Sequence, residues 1–101
     1  MTIQMGDIIA EASFIPAEYG GRKDATPSGF FGCPFLFNGK LYDCRLLLDK
    51  TGLLQPGMTA IVPIKFLNPS IILPFIKTGD VFGLWEIRMI AYGKVISVST
   101  I

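Results

Sequence analysis

Pro56-Gly57-Met58-Thr59-Ala60-Ile61-Val62-Pro63-Ile64-Lys65-Phe66-Leu67-Asn68-Pro69 and Gly79-Asp80-Val81-Phe82-Gly83-Leu84-Trp85-Glu86-Ile87-Arg88-Met89-Ile90-Ala91-Tyr92-Gly93-Lys94-Val95 decide the fold. Pro-Gly opens the first run and Asn-Pro closes it; between them Met58, Ala60, Val62, Ile64 and Phe66 alternate with Thr59, Pro63 and Lys65, the period-two pattern of a strand with one buried face. Pro63 within it argues for an edge or a bulge. Gly-Asp starts the second run, which reads as two closing strands, Phe82 to Arg88 and Met89 to Ser99, the last broken by Gly93. Pro74 excludes a long helix from the apolar stretch Ile71 to Ile76 between the runs.

Further back, Asn38-Gly39 separates Pro34–Phe37 from Leu41–Leu48 and suits the positive φ values of a two-residue hairpin turn. That turn sets Phe37 opposite Lys40, Phe35 opposite Tyr42, Cys33 opposite Cys44, and Pro34 opposite Asp43. There the missing N–H of Pro34 removes no bond within the hairpin, which suits an edge or a point where the strand leaves the sheet. Tyr42, Cys44, Leu46 and Leu48 share one face. At the start, Ile8, Ala10, Ala12 and Phe14 share a face between Asp7 and Ile15, and Pro16 ends that strand. Ala17 to Gly32 is the longest irregular segment and holds the one adjacent basic pair, Arg22-Lys23. It is the best candidate for a binding loop, and a plain surface crossover fits equally. No segment keeps a helical period, so the chain is all-β, and its strand lengths indicate a small closed barrel or a sandwich.

The 101 residues form one domain, large enough for a core without staples. Hydrophobic residues make up 50% and charged residues 17%, below the usual share of about 25%. Two readings follow: some apolar side chains line an interface with a partner or a second copy, or they fill a dense β core with ordinary apolar surface. Nine basic against eight acidic residues, scattered along the chain, produce no general field for nucleic acid. A start without basic residues or a long apolar segment, and no apolar run of membrane-spanning length, make a cytosolic protein the expectation.

Histidine is absent, which removes the usual nucleophile–histidine pairs and the commonest zinc ligand. Cys33 and Cys44 are expected as buried free thiols rather than a bridge, and two cysteines cannot make a four-thiolate metal site. Gly20-Gly21-Arg22-Lys23 lacks the spacing of a phosphate loop, so no nucleotide hydrolysis is expected. Glu11, Glu18 and Glu86 carry no acid–base signature, and Glu86 and Arg88, two apart, are expected to share a strand face and pair or stay solvated. Trp85 is expected in the core or at an interface. Catalysis, a metal and a cofactor are therefore not expected.

These elements, in order, resemble the third, C-terminal β-barrel domain of bacterial elongation factor Tu, from about Asp7 to Val98. Gly20-Gly21-Arg22 is similar to the family's Glu-Gly-Gly-Arg loop, Pro34-Phe35-Leu36-Phe37 to its strand after Gly-Tyr-Arg-Pro, and Pro56-Gly57 to its Pro-Gly-Asp turn. Ile64 to Pro69 is similar to its apolar strand end before Pro. Phe82 to Val95 is similar to its Phe-x-x-Arg-Glu-Gly-x-Arg-Thr-x-Gly-x-Gly-x-Val. Gly32-Cys33 replace the tyrosine and arginine, Glu86-Ile87-Arg88 shortens the Glu-Gly-x-Arg turn, and Lys23 to Pro27 replace His-Thr-Pro-Phe; those segments meet the transfer RNA T-arm in the family. The resemblance implies a closed antiparallel barrel of about six strands of Greek-key type. The chain has no counterpart of the GTPase domain. Two functions are carried forward: a non-catalytic protein-binding module (translation-associated, toxin-neutralising or homo-oligomeric), and a transfer-RNA-binding domain. The candidate binding residues are Gly20, Gly21, Arg22, Lys23, Arg88 and Lys94.

Overall fold

A computed structural model describes residues 6–99. Six strands, β1 (Ile8–Phe14), β2 (Gly29–Phe37), β3 (Lys40–Leu48), β4 (Thr59–Phe66), β5 (Val81–Glu86) and β6 (Arg88–Val98), close into a barrel in the order β1-β4-β3-β2-β5-β6, with β6 returning to β1. Every pairing is antiparallel. Closure leaves no free sheet edge at the chain's ends and gives each strand one inward row of side chains.

The β2–β3 hairpin has the register set by Asn38-Gly39, with Cys33 opposite Cys44 and Pro34 opposite Asp43; Asn38 has φ 50° and Gly39 φ 76°. The expected faces are inside: Ile8, Ala10, Ala12 and Phe14 from β1, Cys44, Leu46 and Leu48 from β3, and Val62, Ile64 and Phe66 from β4 are all buried. Phe35 lies at the centre, stacked on Phe82 at 4.3 Å and edge-on to Phe66 at 4.9 Å between ring centroids. Ile72 and Ile76, the residues that follow two short 3₁₀ turns (Pro69–Ile71 and Leu73–Phe75), are buried with this core, so the stretch that could not be a helix supplies core side chains.

Both prolines within strands mark places where a ladder stops. The β2–β5 ladder consists of Phe35↔Leu84 and Leu36↔Gly83, and Pro34 is the next residue, with no N–H to extend it. The β3–β4 ladder runs from Cys44↔Phe66 to Leu46↔Ile64, and Pro63 comes next.

Three strand boundaries differ from expectation. β2 begins at Gly29, so Gly29 to Gly32 belong to the hairpin rather than to the loop. β6 runs unbroken through Gly93. A Cβ there would collide with the Glu11 carbonyl oxygen and the Phe82 ring, so this glycine lets β6 lie close to β1 with Phe82 packed over it. The closing strands do not divide between Arg88 and Met89: β5 ends at Glu86, β6 starts at Arg88, and Ile87 alone turns the corner.

Bulges at Ile90 and Ile96 each add one residue to β6. Ile90 and Ala91 are consecutive and both buried, as a bulge allows.

Candidate functional site

The irregular loop and the β5–β6 corner meet at one end of the barrel. Ala17–Tyr19 forms a 3₁₀ turn ended by Gly20 at φ 96°. Gly21 lies so close to the Ile15 carbonyl that a Cβ would overlap it, and its N–H bonds to the Pro16 carbonyl at 3.0 Å. The Gly-Gly pair is thus demanded by a left-handed turn followed by a close backbone approach.

From that bend Arg22 reaches Glu86. Its Nη1 donates to both carboxylate oxygens at 2.6 and 2.8 Å, Nε and Nη2 donate to the carbonyls of Asp24 and Ala25 at 3.3 Å, and the guanidinium sits 4.8 Å over the Phe31 ring. This is the one salt bridge among the described residues. Arg88 points back into the same bend, Nε donating to the Gly20 carbonyl and Nη2 to that of Gly21 at 3.3 Å. Glu86 and Arg88 therefore do not pair as neighbours on one strand: they face each other across the corner, and each binds the loop instead. The loop is pinned once more at Thr26, whose buried Oγ1 accepts the Leu54 N–H at 2.9 Å and donates to the Pro27 carbonyl at 3.0 Å.

Arg22, Lys23 and Arg88 line a shallow depression of about 360 Å³ together with Asp24, Glu86, Ile87 and Ile90, while Gly20 and Gly21 join them through the carbonyls that Arg88 binds. Lys94 is not part of it. It stands on the outer wall of β6, opposite Glu11 of β1 and Val81 of β5. Two residues escaped the sequence reading. Ile87 is 89% exposed at φ 67°, a conformation that a β-branched side chain rarely adopts. Tyr19, next to Gly20, is also exposed. The missing glycine in the shortened Glu-Ile-Arg turn is the only sequence signal for Ile87.

A second depression, of about 510 Å³, lies beside β2, β3 and β4 and is lined both by the core residues Cys33, Cys44 and Phe66 and by the outward Arg45 and Lys65 among others. Both cysteines are free and buried. The Cys44 thiol donates to the Cys33 carbonyl at 3.2 Å; hydrogen bonding to Cys33, burial, and the Cys33 and Asp43 charges push its pKa far above the ordinary thiol range. A thiol held protonated is not a nucleophile. No group of three or more His, Cys, Asp or Glu among the described residues could hold a metal ion. No helix among them is long and apolar enough to cross a membrane. No protein-family model matches the chain, and no curated protein matches it.

Proposed function

We propose that the protein is a non-catalytic binding module that docks a protein partner on the barrel end built by Tyr19, Gly20–Lys23 and the Glu86–Arg88 corner. The observation that carries this reading is Ile87: an almost fully exposed apolar side chain in a strained backbone conformation, held by the Arg22–Glu86 and Arg88–Gly20 contacts on either side. Strain concentrates where surrounding structure enforces it for a purpose, and an aromatic and an aliphatic side chain on a rigid platform make a hot spot at low entropic cost. The likeness to the third domain of elongation factor Tu belongs to the same proposal, with the barrel kept and a different partner met at the altered loops.

Binding of transfer RNA through this end would need Arg22 and Arg88 on phosphates. Arg22 is engaged by Glu86 and the Asp24 and Ala25 carbonyls, and Arg88 places two of its five N–H donors on the Gly20 and Gly21 carbonyls, so both are partly committed to holding the loop against the corner. Capture from native lysate with tagged wild type and Ile87→Asp tests the reading. A defined protein retained at high salt by wild type and lost from the variant is expected. Recovery of transfer RNA alone, at low salt only, would replace this reading with the RNA one.

A further inference from the structure

The chain has two asparagines, and one of them is placed to react. Asn38 precedes Gly39 at the tip of the β2–β3 hairpin, both in the left-handed region at φ 50° and 76° and both exposed. Among the described residues no hydrogen bond engages the Asn38 side-chain amide or the Gly39 N–H. Nothing lies within 4 Å of where a Cβ on Gly39 would stand, so its nitrogen is open to the side chain before it. Asn68 is the contrast: it precedes Pro69, whose ring nitrogen has no proton to give up. No aspartate in the chain precedes a glycine, so no second site shares this chemistry.

We propose that Asn38 is a site of spontaneous deamidation, and that its isoaspartyl product undoes the register of the hairpin. The Gly39 nitrogen attacks Asn38 Cγ, the Cγ–Nδ2 bond breaks, and ammonia leaves with the Gly39 proton as a succinimide ring closes. Water then opens the ring. Attack at Cγ yields aspartate; attack at the main-chain carbonyl carbon yields isoaspartate, with the chain now running through Cγ. One water is consumed, one ammonia is released, and nothing is oxidised or reduced. The turn must open before the ring closes, and it opens cheaply, because both residues are exposed at a loop tip. Aspartate suits the same two-residue turn as asparagine. Isoaspartate adds a main-chain carbon to that loop, which then no longer sets Phe37 opposite Lys40. Phe37 is buried, with its ring centroid 6.5 Å from that of Phe35, so the damage reaches the core. The β2–β5 register puts this turn at the barrel end away from Ile87, and the inference does not depend on partner docking there.

Ageing the folded wild-type chain at physiological temperature and neutral pH tests this. The readouts are peptide mass mapping, labelling by an isoaspartyl methyltransferase, and thermal melts of the isoforms separated by ion exchange. A gain of one mass unit is expected at Asn38 and none at Asn68, with isoaspartyl label on the Asn38 peptide. The rate should be at most about 10-fold below that of a linear peptide of the same hairpin, as fits a tip that opens locally. The isoaspartyl isoform is expected to melt at least about 5 °C below wild type, and Asn38→Asp within about 2 °C of it. Asn38→Gly, which keeps a residue suited to the turn and removes the reacting amide, should hold its mass. An Asn38 that stays intact in the folded chain while the linear peptide reacts to completion would overturn the site. An isoaspartyl isoform that melts with the wild type would overturn its effect on the register.

Discussion

At the residue scale the unusual choice is isoleucine at position 87. Its φ of 67° places Cβ against the following carbonyl, which costs roughly 1–2 kcal/mol for an L-residue and more for a branched one, and the exposed side chain recovers little by burial. Glycine would remove the strain but add about 0.5–1 kcal/mol of backbone entropy to the cost of folding. Ile87→Gly is therefore expected to stabilise the barrel by about 1 kcal/mol, raising Tm by about 4–8 °C for a domain of this size. The same change removes the apolar anchor, so partner capture should fall as stability rises. A thermal melt beside the capture assay checks both, and a lower Tm would mean that the Ile87 side chain supports the fold. The flanking Arg22–Glu86 pair contributes little to stability by itself, of order 0.5–1 kcal/mol, because Glu86 is largely solvated. Its part is to fix the loop against the corner.

At the scale of elements, two strand glycines separate close approach from mere absence of a side chain. Gly93 lies under the Phe82 ring and against the Glu11 carbonyl, while a Cβ on Gly32 would meet only the Cys44 carbonyl oxygen at 3.8 Å, an ordinary contact. Gly93→Ala must therefore push β6 away from β1 at the closing seam and is expected to cost about 2–4 kcal/mol. Gly32→Ala should be neutral or stabilising by up to about 1 kcal/mol. Urea unfolding of the two variants checks the contrast, and equal midpoints would show that the seam yields without strain. This difference also marks how far the sequence could be read. The β2–β3 register was legible because Asn-Gly fixes it locally. The role of Gly93 was not, because its neighbours come from residues 11 and 82. The start of β2 at Gly29 was hidden by Gly32 and Pro34, which look like breakers; the proline is tolerated because its missing N–H falls at the end of the β2–β5 ladder. At the candidate site the loop residues and Arg88 were legible from the Gly-Gly-Arg-Lys segment and the corner. Their partners were not: Arg22 finds Glu86 across 64 positions and Arg88 finds Gly20 across 68.

At the scale of the whole molecule, closure is made by the first and last strands, and it brings Asp7 and Ser99 together. Phe14↔Ala91 begins the β1–β6 seam, Ile8↔Val98 ends it, and beyond that the Ser99 N–H donates to the Asp7 carbonyl at 2.8 Å. The barrel is thus a ring whose break point in sequence is arbitrary as far as packing goes. A second break can be placed at the exposed turn after β3, where Asp49, Lys50 and Thr51 are solvated and the turn is held by the Gly52 N–H on the Leu48 carbonyl at 2.9 Å. A circular permutant opened between Lys50 and Thr51, its original ends joined by a short flexible linker, keeps every strand pairing intact. Joining the ends offsets part of what the new break loses, since the entropy of closing a loop grows only slowly with its length. The permutant is expected to unfold cooperatively, with Tm lower by only a few degrees, and to retain the partner capture that depends on Ile87. A permutant without a cooperative transition would mean that the turn at 49–52 has to form before β1 and β6 can meet, and that the barrel is not indifferent to where its chain begins.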